Sequence, residues 1–92
     1  MSSKYQHEFK NRDFSRFQEQ AGATPDKHLL YVYGQYLRQL QRTEERVAKR
    51  RGLTRNRLYI EHETELIIPT IKKQISIIEG VLDSRGLAYS KD

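Results

Sequence analysis

Glu61, His62, Glu63 and Glu65 form the densest group of side chains that could do chemistry. A histidine among carboxylates can ligate a metal, and carboxylates held together can trade a proton. A metalloprotease helix needs a second histidine four residues after the first. Position 66 is Leu, and His7 and His28 are far away in the chain. On a helix Glu61 and Glu65 share a face while Glu63 points elsewhere, so no acid/base pair forms. The group reads as a solvated acidic face, and no metal or other cofactor is expected. No cysteine exists to act as nucleophile or thiolate ligand. No serine or threonine sits in a catalytic pattern, and the five glycines stand singly, so no phosphate loop is built. Tyr31, Tyr33 and Tyr36 fall at helical spacing, which suits core and interface packing. The expectation is a protein that is not an enzyme.

The second chemistry available is charge. Seventeen Lys and Arg against twelve Asp and Glu give +5. Residues 27–57 hold nine basic groups against two acidic ones, while the segments on either side are balanced or slightly acidic. Arg46, Lys49, Arg50, Arg51, Arg55 and Arg57 lie within twelve residues that contain no acid. Arginine forks suit bidentate contacts to phosphate. Asn56 could donate to phosphate or base edges, and Tyr59 could stack on an unpaired base. These eight residues are the expected contact set for DNA or RNA. The other expectation is a non-enzymatic adaptor or inhibitor docking on an acidic protein surface. Tyr5, Phe9, Phe14 and Phe17 would then be aromatic anchors; otherwise they cap a small core.

These groups need elements to carry them. Residues 1–22 read as one short aromatic helix or arm, with a break over 22–26. Thr24 fits an N-cap and Pro25 a first helical turn. A helix over 25–51 follows, with Leu30, Tyr33, Leu37, Leu40, Glu44 and Val47 stepping by three and four. Gly34 within it reads as a site of close backbone approach, and Gly52 after three basic residues as a stop. Thr54 or Asn56 could open a second helix over 54–85, carrying Ile68, Ile71, Ile75, Ile78 and Leu82. Pro69 must kink or break it. Gly86 closes it, with Leu87 folding back in a Schellman contact, and 86–92 form a tail. Residues 58–66 also alternate with period two, a strand signal that finds no partner run. A helix-turn-helix around Gly52 fits poorly, because the flanking helices are too long.

The short connector implies antiparallel neighbours. The expected fold is all-α: one domain over 1–92, an antiparallel long-helix hairpin with a short N-terminal helix or arm. Two amphipathic helices bury little alone, so either the N-terminal aromatics complete a monomeric three-helix bundle or, the favoured expectation, two hairpins pair into a dimeric helical bundle. Ninety-two residues exclude a two-domain enzyme, and the absence of cysteine excludes a disulfide scaffold. No apolar run approaches a membrane span or a secretory signal, so the expected location is cytoplasmic.

Overall fold

The computed structural model describes residues 4–53 and 57–89, with side chains described for 4–50 and 59–89. Four helical rods make up this part of the chain, and no strand occurs among the described residues. They are α1 (Lys4–Lys10), α2 (Ser15–Ala23), α3 (Asp26–Leu53) and a composite rod. The composite rod runs through α4 (Arg57–His62), a π-helical turn (Glu63–Ile67) and α5 (Ile68–Ser84). The alternation of residues 58–66 is therefore absorbed into helix. With no strand to pair against, the backbone groups close within the segment, as when the Thr64 hydroxyl donates to the Ile60 carbonyl at 2.8 Å.

The N-terminal segment forms two helices where one element was expected. Phe9 and Phe14 are out of helical phase, and the break over 11–14 lets both rings meet, 6.2 Å apart and edge to face. Asp13 sets the start of α2. Its carboxylate accepts from the Ser15 N–H at 2.9 Å and the Ser15 hydroxyl at 2.6 Å. The hydroxyl first, then the N–H, hold the Asp13 carboxyl below its ordinary range.

Three local expectations are corrected here. The break after α2 is confined to Thr24 and Pro25, because α2 continues through Gly22 to Ala23. Thr24 does not cap α3. Its hydroxyl donates back to the Gln20 carbonyl at 2.6 Å and its N–H to Ala21, so it finishes α2. Gly52 does not stop α3, which passes through it to Leu53. The expected caps Thr54 and Asn56 lie outside the described residues.

The core lies chiefly between α3 and α5, with α2 laid across them. Leu29, Tyr33 and Val47 of α3 and Ile71, Ile75, Ile78 and Leu82 of α5 are buried, joined by Ala21 of α2 and Leu66 of the π turn. Each such aliphatic side chain removed from water contributes about 1.5–3 kcal/mol. On α3 the expected Tyr33 and Val47 are buried, but Thr43 is buried in place of Glu44, which is exposed. Thr43 can afford this because its hydroxyl donates to the Gln39 carbonyl at 2.8 Å. A carboxylate there would need a cation beside it. Gly34 shows no close approach either, since a Cβ built on it meets nothing within 4 Å.

Pro69 is the second residue of α5 and has no N–H to give to residue 65. The turn before it widens, and the Ile68 N–H reaches the Glu63 carbonyl five residues back. The rod thus continues past the proline. At its far end Gly86 adopts φ +69°, the Gly86 N–H donates to Asp83 and the Leu87 N–H to Leu82. That is the expected Schellman closure, with Leu87 packed against the core.

Contacts between the rods pair early α3 with late α5 and late α3 with α4. Arg85 donates to the Gly22 and Thr24 carbonyls, each at 2.7 Å, and to Asp26 at 2.8 Å. The Tyr33 hydroxyl donates to Glu79 at 2.7 Å, and the Tyr89 ring meets Tyr33 edge-on at 5.1 Å. Burial, followed by the Glu79 carboxylate, raises the Tyr33 phenol well above its ordinary value. At the other end the Arg50 guanidinium lies 5.0 Å over the Tyr59 ring.

Candidate nucleic-acid interface

The basic surface begins earlier in the chain than local charge density indicates. Arg38, Arg42, Arg46 and Arg50 recur every four residues on α3, and all are exposed, as is Lys49. Side chains four apart stack along one side of a helix, so these arginines form a ladder about 18 Å long. None of the five makes an ion pair among the described residues. Among the described residues Arg46 reaches the Thr43 hydroxyl, at 3.5 Å, and Arg50 lies over the Tyr59 ring.

The ladder borders an open groove of about 570 Å³. Gln35, Arg38, Gln39, Arg42 and Arg46 form one wall, and buried Thr43 with half-buried Ile67 forms the floor. His62, the last residue of α4, and Glu63, the first of the wide π turn, form the other wall. α1 packs against that turn, with Tyr5 edge-on to His62 at 5.2 Å. The groove therefore joins two groups that are separate in the sequence, the basic stretch and part of the acidic cluster.

Of the expected contact residues, Arg46, Lys49 and Arg50 are exposed on α3, and Tyr59 is half-buried beneath Arg50. Arg51 and Arg57 belong to α3 and α4, but their side chains lie outside the described set. Arg55 and Asn56 lie outside the described residues altogether. Arg38, Arg42, Gln35 and Gln39 were not singled out. Their only sequence signal is the four-residue recurrence of arginine, diluted by the neutral residues between and offset by Glu44 and Glu45.

The four N-terminal aromatics are all half-buried and turned inward. Tyr5 meets His62, Phe9 meets Phe14, and Phe17 meets Tyr36 at 5.8 Å. The three histidines stand apart: His7 pairs with Asn11, His28 stacks on Tyr31, and His62 lies against Tyr5. No three metal-ligating side chains converge among the described residues. No described helix is long and apolar enough to cross a membrane.

Comparison with known protein families, curated proteins and solved structures found nothing that matches this chain. Fold and surface therefore define the class alone: an all-helical protein with an arginine ladder along its longest helix.

Proposed function

We propose that this chain is a non-enzymatic nucleic-acid-binding protein that grips phosphates with the arginine ladder of α3. The observation that carries this is the exposure of Arg38, Arg42, Arg46, Lys49 and Arg50 without ion-pair partners among the described residues. We take α3 and the composite rod as the arms of a hairpin; the expected contacts Arg51, Arg55 and Arg57 fall in the stretch of sequence where one passes into the other. Phosphates displace counterions on meeting such a surface, which gives the binding its drive and its salt dependence.

The ladder spans about five base steps of a strand at roughly 3.4 Å each. Phosphate contact of this kind positions a nucleic acid and carries little sequence information. The expected role is to organise, protect or regulate DNA or RNA. We place it in the cytoplasm, where the absence of cysteine carries no cost.

The test is anisotropy with labelled oligonucleotides, titrating salt from about 50 to 200 mM. Binding should weaken steeply with salt, and an Arg38→Ala, Arg42→Ala, Arg46→Ala variant should reduce the log–log slope by roughly three. A wild type that binds no oligonucleotide at low salt would overturn the reading. An acidic protein surface would then be the partner to seek. Tyr5, Phe9, Phe14 and Phe17, all half-buried, would then be the aromatics to test as its anchors.

A homodimer was expected because the isoleucine stripe of the second rod needed cover. Ile71, Ile75 and Ile78 are instead buried by this chain's own α2 and α3. Tyr31 is the one large hydrophobic residue strongly exposed among the described residues. We therefore propose that the binding form is a monomer.

A further inference from the structure

We propose that the groove beside the arginine ladder receives a base of a single strand, so that the protein prefers single-stranded over duplex nucleic acid. This inference rests on the phosphate-binding reading and extends it.

The first reason is steric. An α-helix with its side chains is about 10–12 Å across, and the major groove of B-DNA is about 12 Å wide. A packed helix can enter it only with a side left clear of neighbouring elements. Along residues 29–47, one side of α3 is packed against α5 and the π turn. On the ladder side, at residues 38–46, His62 and Glu63 stand across the open groove from the arginines, so this side is not clear either. A duplex could touch the ladder only with its outer phosphates.

The second reason is chemical. A single strand exposes both phosphate and base to the same surface. At residues 38–46 the two kinds of partner lie side by side. Arg38, Arg42 and Arg46 take the phosphates, and the space beside them is about 570 Å³, within the usual range for small-molecule sites. Its floor includes the apolar side chain of Ile67, which suits the face of a base. Gln39 and Glu63 stand on opposite walls and can meet a base edge. The Glu63 carboxylate accepts only, so it favours bases with an exocyclic amino group. The π turn matters because it carries Glu63 to this wall, directly after His62 of α4.

The experiment compares a single-stranded oligonucleotide with the duplex of the same length and sequence, as DNA and as RNA, at one salt concentration. The variants are Gln39→Trp, which fills the groove without changing charge, and Gln41→Trp, on the opposite side of α3. Both positions are exposed, and circular dichroism checks that the helices persist. Wild type and Gln41→Trp should bind the single strand about tenfold more tightly, the value of one good base contact. Gln39→Trp should bind both forms equally. Equal binding of the two forms by wild type would overturn the inference, and so would an intact preference in Gln39→Trp. In both cases binding that still depends on the ladder arginines leaves the phosphate-binding reading standing. No binding of either form by wild type would overturn both.

Discussion

Tyr33 shows how one residue can join core and surface. Its ring is buried between the rods, and its hydroxyl emerges against Glu79. Burial and that carboxylate both disfavour the phenolate, so the folded-state pKa lies above a tyrosine's ordinary 10.0. A group whose pKa is raised on folding contributes stability that is complete below the unfolded value and lost as pH rises through it. Tyr89, raised by its hydrogen bond to Asp83, acts in the same direction. Urea melts should therefore lose stability from about pH 10 upwards. Tyr33→Phe should cost about 1 kcal/mol at neutral pH and flatten the alkaline loss; an unchanged alkaline slope would contradict this account. That Tyr33 is core was legible from its spacing. Its partner was not, because Glu79 lies 46 residues away and no local pattern links the two. Arg85 was hidden for the same reason. As a lone arginine near a helix end it resembles solvated surface, yet it ties together the end of α2, the start of α3 and the end of α5.

At the scale of elements, legibility followed the range of the interaction. The end of α5 was readable because glycine, the following leucine and the hydrogen bonds they make lie within six residues. The end of α3 was not, since basic residues and Gly52 mark a stop that the helix passes. A glycine costs a helix about 1 kcal/mol and does not by itself end one. The buried line of α3 was misread at one position, Thr43 for Glu44, because Thr43 counts as polar in any pattern, although its hydroxyl is satisfied within its own helix. Gly34 offers a direct test of element packing. Nothing lies where its Cβ would project, so Gly34→Ala should stabilise the protein by about 0.4–1 kcal/mol in a urea melt. A loss of stability would mean that another backbone sits on this face.

For the molecule as a whole, the isoleucine stripe of α5 is buried within one chain among the described residues. Light scattering should give the 11.0 kDa monomer mass across a hundredfold dilution, and a mass twice that would restore the paired bundle. The clamp at Arg85 and the arginine ladder lie toward opposite ends of α3, so the anchored end and the charged end are distinct. The basic character was visible in composition. The ladder was only partly so, because charge counted along the chain emphasises residues 46–57 and passes over Arg38 and Arg42. The groove was not visible at all, and the reason lies in counting residues. Leu66 and Ile71, both buried, are five apart, a step that a uniform α-helical pattern skips. The segment 63–67 carries one residue more than a regular turn holds. Wind the same residues as regular α-helix and everything before them would turn by about 100°, one residue's worth, relative to α5. Tyr59 would swing from beneath Arg50 and His62 from the groove wall, while the isoleucine stripe stayed in place. The width of this one turn is thus a phase setting: it leaves the isoleucine stripe where it is and decides whether the basic helix faces a wall or open water.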